Sequence, residues 1–192
     1  MRTVLPILIL LAATLGTNPA IAQPGVIALF TDPAAWECNI IDDAPGIVQV
    51  YVVHLLTAGA LASNFGIADY RHNLTYVGWE AAHSVTIGSN PYSGVAVSYD
   101  AGCLPAPIPI GTITYVKSGT SPDCGEIRVV RDPATVSGLI EGVDCSFNTT
   151  FPAGGRVRVN GVPGAWGLDY CGCGFHVPVE ATSWGKVKAM YR

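Results

Sequence analysis

The segment GIVQVYVVHLL, residues 46–56, decides the fold class of this chain. Successive side chains of a β-strand point to opposite faces, so this segment would present two sets of residues to its surroundings. Both sets are apolar: Val48, Val50 and Val52 on one face, and Ile47, Tyr51, Val53 and Leu55 on the other. We therefore expect a strand that is covered on both sides or bends through a core.

Similar short runs, each bounded by turn residues, recur on both sides of this segment. β-branched and aromatic residues fit a pleated sheet, whereas the 22 Gly and 14 Pro of the chain interrupt helices. The predicted strands cover residues 26–31, 47–56, 64–67, 74–80, 84–87, 94–99, 108–116, 126–130, 138–143 and 156–162. Short strands at this spacing predict an all-β protein with an antiparallel β-sandwich.

The last of these runs, GRVRVNGV, has one polar face. It alternates Val157, Val159 and Val162 with Arg156, Arg158 and Asn160. We expect this strand to have one buried face and one face in water.

Earlier in the chain, Asp32 before Pro33 predicts one short helical turn after the first strand, because a carboxylate caps a helix that begins with proline.

The N-terminal residues MRTVLPILILLAATLGTNPAIAQ have the pattern of a secretory signal peptide. One Arg precedes an apolar run over residues 4–15, and Ala20-Ile21-Ala22 supplies small residues at the expected cleavage site. We predict a signal peptide over residues 1–22, a β-sandwich domain over residues 23–178 and a C-terminal tail over residues 179–192. No transmembrane segment is expected after removal of the signal.

The predicted tail contains SWGKVKAMYR, an amphipathic pattern. Trp184, Val187 and Tyr191 are spaced i, i+3 and i+7, and Ser183 can cap a helix. We expect a short docked helix or a mobile appendage, used as an address or attachment signal.

Charged residues make up 12% of the chain, with Lys+Arg 10 against Asp+Glu 14. Affinity for nucleic acid depends on clustered Lys and Arg, and no such cluster occurs in the sequence. Nucleic acid is therefore excluded as an expected partner.

Six cysteines in an exported chain predict structural disulfides, because an oxidising compartment converts paired thiols into crosslinks. The candidates are Cys38, Cys103, Cys124, Cys145, Cys171 and Cys173. A zinc site with Cys171, Cys173 and His176 as ligands is the alternative, although the one-residue spacing is tighter than in usual ligand pairs.

The order of the predicted hairpins suggests a pairing. A strand of nine residues separates Cys103 from Cys124, which would place them at opposite ends of the sandwich. Cys124 is then expected to bond Cys145, whose strand would return to the same end. Cys38 and Cys103 would take Cys171 and Cys173 in an order that the sequence leaves open.

The histidines and acidic residues form no known catalytic motif, whether a Gly-x-Ser-x-Gly elbow, a His-Glu-x-x-His helix, a phosphate loop or a calcium loop. His54 lies in the most apolar strand, where a hydrogen-bonded core role is expected, while His72 and His83 near strand ends are expected to face solvent. Asp42 and Asp43 are expected in a solvated turn. A Ser/His/Asp triad assembled from distant residues stays open.

Aromatic residues outside the core are candidates for stacking against sugars. Trp79 is expected to fill the core. Tyr92, Trp166 and Tyr170 are the candidate stacking residues, Trp166 because it lies in a Gly/Pro-rich segment.

The stretch ASNFGIADYRHNLTYVGWEAAHSVTIGSNPYSGVAVSYDAG, residues 62–102, is followed by PIPIGTITY and EIRVV. This succession resembles cohesin-like and related carbohydrate-binding sandwich modules, and the resemblance covers residues 48–162. It implies a cohesin-like, immunoglobulin-like β-sandwich. The ending TSWGKVKAMYR is similar to a Trp-Gly-x-Val/Ile-Lys-x-Leu/Met-Tyr-Arg ending that recurs in exported bacterial proteins.

Together these patterns predict an exported bacterial protein, secreted, periplasmic or at the cell surface. The expected function is non-catalytic recognition of a protein or glycan at the cell envelope, with no cofactor and no bound metal. Two alternatives are a secreted hydrolase with a distributed active site and a subunit of an extracellular surface assembly that uses an exposed strand edge.

Overall fold

Two β-sheets form the fold of this chain in a computed structural model that describes residues 24–161. The strands are β1 (Pro24–Phe30), β2 (Asn39–Ile40), β3 (Pro45–Thr57), β4 (Ala60–Tyr70), β5 (Thr75–Ala81), β6 (Val85–Ile87), β7 (Val95–Ser98), β8 (Ile108–Ser118), β9 (Gly125–Val130), β10 (Glu141–Asp144), β11 (Thr149–Thr150), β12 (Ala153–Gly154) and β13 (Arg156–Val159). The first sheet has the order β12-β1-β3-β8-β5. The second has the order β11-β10-β4-β9-β13-β2, and β7 pairs with β4 and β6 with β7 beside this path.

Every predicted strand corresponds to an observed one, so the predicted all-β sandwich is confirmed. β4 is longer than its prediction, and β10 begins later. Strands β2, β11 and β12 were not predicted, because two residues are too few to show alternation. The predicted helical turn after β1 is wrong: Asp32 accepts hydrogen bonds from the backbone nitrogens of Ala34 (2.9 Å) and Trp36 (3.0 Å), but the segment forms a non-helical turn.

The core lies between the two sheets and is built from alternate residues of the long strands. β3 and β8 contribute Val50, Val52, Ile113 and Tyr115, all fully buried. The second sheet contributes, among others, Phe65, Ile127 and Val157. Each such side chain stabilises the fold by about 1.5–3 kcal/mol through removal of apolar surface from water.

The prediction that β3 is covered on both sides is confirmed for its second half. Val53 is 4% exposed and packs with Val26, Ala28 and Phe30 on the face of the first sheet opposite the core. Ile47 in the first half is 73% exposed.

In β13, Val157 and Val159 are fully buried while Arg156 and Arg158 point outward, which confirms its one wet face.

The segment from β12 to β13 crosses from one sheet to the other. β12 pairs in parallel with β1, and β13 pairs with β9 in the second sheet. Gly155 joins the two: its N–H donates to Ile27 O (2.7 Å), and its carbonyl accepts from Val129 N (2.9 Å). A Cβ atom at Gly155 would lie 2.9 Å from Ala28 Cα, so only glycine allows so close an approach.

The disulfide pairing differs from the prediction. Cys103 is bonded to Cys145, with a Cα–Cα distance of 5.2 Å. The predicted Cys124–Cys145 bond is therefore wrong, and so is the predicted bond from Cys103 to Cys171 or Cys173. The reason is direction: β9 and β10 both run antiparallel to β4, and the pairs Val130↔Gly66 and Glu141↔Asn64 follow each other along it. The chain does not turn back after β9, so it carries Cys145 away from Cys124.

Cys38 and Cys124 each take part in a disulfide bond as well, so every described cysteine is crosslinked. Structural disulfides are therefore confirmed for this part of the chain. Cys171 and Cys173, the predicted signal peptide and the tail residues Trp184, Val187 and Tyr191 lie outside the described residues. Within residues 24–161, none of the helical segments has the length and apolar character needed to cross a membrane.

Candidate binding groove

A groove of about 310 Å³ lies on the outer face of the second sheet, over strands β6, β7, β4, β10 and β11. Ser63 and Val97 are 2% and 1% exposed and point into the core. Because side chains alternate along a strand, their neighbours Ala62, Asn64, Ala96 and Ser98 point outward. The outward residues of these strands form the groove.

Strand register arranges the groove residues in two parallel rows. The first row is Val85, Ser98, Ala62 and Val143, and the second is Ile87, Ala96, Asn64 and Glu141. In each row the two middle residues are small or short and the two end residues are longer. Neighbouring strands lie about 4.8 Å apart, so the two walls of this trough stand roughly 14 Å apart.

The floor of the groove contains an unsatisfied amide. Asn64 Oδ1 is buried and has no hydrogen-bond partner among the described residues. Leaving a buried acceptor unpaired costs about 1–3 kcal/mol, so a site of this kind favours a ligand that brings a donor.

One wall of the groove is an edge strand. Among the described residues β6 pairs only with β7, and its two apolar side chains are unusually exposed, Val85 at 59% and Ile87 at 75%. β6 is short, at three residues, but it has no charged side chain, and contiguous exposed apolar residues mark interaction surfaces.

His54 has the core role predicted from the sequence. It is fully buried, its Nε2 donates to Pro24 O (3.0 Å), and its Nδ1 lies 3.3 Å from both the Ser63 and the Tyr99 hydroxyl oxygens. Burial lowers the pKa of His54, against the opposing effect of the bond to Pro24, and burial raises the pKa of Tyr99. Ser63 and His54 are therefore adjacent, but both are enclosed between the sheets and out of contact with solvent.

The expectation for His72 is wrong, because its side chain is 2% exposed rather than solvent-facing. Its Nε2 lies 3.3 Å from Asp69 Oδ1, and its Nδ1 accepts from Leu74 N (3.2 Å). His83 is partly exposed, and its Nε2 donates to Pro109 O (2.9 Å).

Tyr92 lies in the short 3-10 turn Pro91–Ser93 and is half-buried. Its hydroxyl donates to Asp69 Oδ2 (2.6 Å) and lies 2.8 Å from the Tyr115 hydroxyl, while its ring packs edge-on against Tyr76 at 5.2 Å. Burial and the neighbouring Tyr115 and Asp69 raise the pKa of Tyr92, so it remains a neutral phenol. Its role in sugar stacking stays a prediction, and Trp166 and Tyr170 lie outside the described residues.

No group of three or more His, Cys, Asp or Glu side chains is placed to hold a metal within residues 24–161. Trp79 packs against the core as expected, edge-on to Phe65 at 6.2 Å between ring centroids.

The groove could not be predicted from the sequence. Three of its four floor residues, Ala62, Ala96 and Ser98, are small and carry no chemical signal in a sequence, and the fourth is Asn64. The run over residues 84–87 was predicted as a strand, but a strand pattern does not specify which face meets the core. Only the register shows that Val85 and Ile87 point to solvent.

No model of a known protein family matches this chain, and no curated protein matches it. Solved structures similar to it are cohesin modules. The sixth cohesin of Acetivibrio cellulolyticus scaffoldin B is 11% identical, with 71% of this chain and 97% of that chain covered and a TM-score of 0.46. A Clostridium perfringens cohesin module from a family 33 glycoside hydrolase is 5% identical (71% and 98% covered, TM-score 0.48). The third ScaB cohesin of R. flavefaciens is 19% identical (73% and 96% covered, TM-score 0.46).

Proposed function

We propose that this chain is a non-catalytic binding module whose groove takes an extended segment of a protein partner. The observation that carries the proposal is the pair of outward rows across four strands, with small or short residues between walls that are aliphatic except at Glu141. An extended segment is the ligand shape that fits a trough roughly 14 Å wide and lined by strands.

The chemistry of the groove supports a partner with apolar side chains and a backbone donor. Val85, Ile87 and Val143 offer aliphatic contact, and Asn64 Oδ1 can accept a backbone N–H from the bound segment. Glu141 stands at one wall and disfavours a partner with acidic residues at that position.

The predicted signal peptide and the disulfide-bonded cysteines support an exported protein in an oxidising compartment, in the periplasm, at the cell surface or outside the cell. We therefore infer that the partner is a protein of the cell envelope or its surroundings.

Replacing Val85 with Asp should weaken partner binding by about tenfold or more, because a buried valine contributes about 1.5–3 kcal/mol and the aspartate would be desolvated. Val77→Asp is the matched control: Val77 is 58% exposed against 59% for Val85, but it lies on β5 of the first sheet. The measurement is selection of linear peptides from a random phage-displayed library, followed by affinity measurement on each variant.

Ala96→Trp provides a second test, because an indole on the floor would fill the groove without adding charge. Selected peptides should lose binding to this variant as well. Peptides that bind Val85→Asp and Ala96→Trp as tightly as the unsubstituted protein, or a selection that never exceeds the library background, would exclude the groove as the site.

A further inference from the structure

Two cysteines, Cys38 and Cys124, lie on opposite sides of β13, and we call them the flanking cysteines. β13 lies between β2 and β9 in the second sheet. Cys38 directly precedes β2, and its carbonyl oxygen accepts from Arg158 N (2.8 Å). Cys124 directly precedes β9, and its N–H donates to Asn160 O (3.1 Å). Backbone hydrogen bonds therefore fix the position of each flanking cysteine relative to β13.

The flanking cysteines are too far apart to bond each other. Because β13 separates β2 from β9, they lie two strand spacings apart across the sheet, about 10 Å. The strand register, extended by one residue, sets Cys38 beside Val157 and Cys124 beside Asn160, which adds about 10 Å along β13. The resulting Cα–Cα distance of about 14 Å is twice the limit of about 7 Å for a disulfide.

Each flanking cysteine is nevertheless disulfide-bonded, so each has a partner elsewhere. Cys103 and Cys145 are bonded to each other and supply none. The chain has six cysteines, which leaves Cys171 and Cys173 as the partners within it. A bond between these last two would strain disulfide geometry across one glycine, and it would leave both flanking cysteines without a partner in the chain.

The spacing of the CGC motif, residues 171–173, suits this arrangement. Two residues of extended chain span up to about 7 Å, and each disulfide adds a Cα–Cα distance of up to about 6.8 Å. One motif with two bonds can therefore span up to about 20 Å, more than the roughly 14 Å between the flanking cysteines.

We propose that Cys171 and Cys173 are each oxidised onto one of the flanking cysteines, so that the CGC motif forms a double crosslink across β13. In each step two thiols form one S–S bond, and their two electrons and two protons pass to a disulfide of an oxidising compartment, which becomes two thiols. Either order of the two bonds fits the distances. Both thiolates of the zinc alternative are consumed. Because β2 and β13 do not line the groove, the crosslink does not depend on the proposed function.

The test is peptide mapping of the full secreted chain, with free thiols alkylated and trypsin applied without reduction. Trypsin cleaves after Lys and Arg, so each cysteine-containing peptide is known from the sequence. We expect peptides 23–71, 118–128 and 159–186 to stay joined as one species, and peptides 72–117 and 132–156 as a second. Reduction should separate both species into single peptides.

The same map contains the results that would overturn the proposal. One is a 159–186 peptide that stays alone, whether with an internal bond, with two alkylated cysteines or from a zinc-loaded protein. Another is a joined pair of 23–71 and 118–128 that lacks 159–186. A third is a covalent dimer before digestion, because the flanking cysteines would then bond a second copy of the chain.

A pair of double variants gives an independent readout by thiol titration in denaturant. Cys171→Ser with Cys173→Ser should expose two thiols, both on the flanking cysteines, and should keep the second peptide species. Cys103→Ser with Cys145→Ser is the matched control, which should expose no thiol and lose only the second species. A first variant that gains no thiol would contradict the crosslink. The titration in denaturant and the map of the unsubstituted protein do not require either variant to fold.

Discussion

Replacing Cys103 and Cys145 together by serine should lower the free energy of unfolding by about 4 kcal/mol. The bond joins residues 42 positions apart, and opening a loop of that length restores much conformational freedom to the unfolded chain. The folded chain keeps the two positions close without the bond, because Ala60 and Leu104 exchange backbone hydrogen bonds (3.0 and 2.9 Å) and Asp144 pairs with Ala60. The effect should therefore arise mainly in the unfolded state.

Urea unfolding of the double variant measures this loss. Ser146→Ala, at an exposed position beside Cys145, is the control and should change stability by about 0.5 kcal/mol or less. If the double variant loses only about 1 kcal/mol or less while the denaturant slope is unchanged, the crosslink does not contribute through loop closure.

Stability should also fall as the pH is lowered through the range just below 6.5, because of His54. Burial lowers the pKa of His54 below its ordinary value of 6.5, so the unfolded chain binds the proton first. The contribution of neutral His54 is complete above about pH 6.5 and is lost on acidification, at up to about 1.4 kcal/mol per pH unit, until the pKa of the folded state is reached. Protonation would also place a charge among Ser63, Tyr99 and the Pro24 carbonyl inside the core.

The check is the urea midpoint from about pH 7.5 to about pH 5 for the unsubstituted protein, His54→Gln and His83→Gln. His54→Gln should flatten the pH dependence, whereas His83→Gln should keep it, since His83 lies partly exposed on the surface. NMR titration of the His54 ring in the unsubstituted protein gives a separate measurement that does not depend on variant folding. A His54 pKa at or above 6.5 would contradict the expectation.

The fold was predictable because alternation and β-branched content act within each strand. The runs that became β3, β8 and β13 show this most clearly, since their apolar sets point to one or two covered faces. Pairing between distant strands was not predictable in the same way. The Cys124–Cys145 error came from assuming that each strand reverses the last, whereas β10 continues the direction of β9 along β4.

Polar residues were harder to place than apolar ones. Asp42 was expected in a solvated turn, but it is 2% exposed and accepts hydrogen bonds from the backbone nitrogens of Gly119 (2.7 Å) and Ser121 (3.1 Å). The partners of Asp42 are far away in the sequence. A local pattern contains no information about such partners, so the buried position of Asp42 could not be predicted from it.

The crossing from β12 to β13 has a consequence for how the chain reaches its folded state. β1, the first described strand, pairs on one side with β12, near the end of the described chain, and Gly155 then carries the backbone on to β9. Pairings between such distant segments slow folding, because the entropy cost of closing the long loop comes before any stabilising contact can form. During synthesis β1 would keep one unpaired edge until residues 153–159 emerge from the ribosome. A chain that stops short of them would expose that edge to other chains and aggregate.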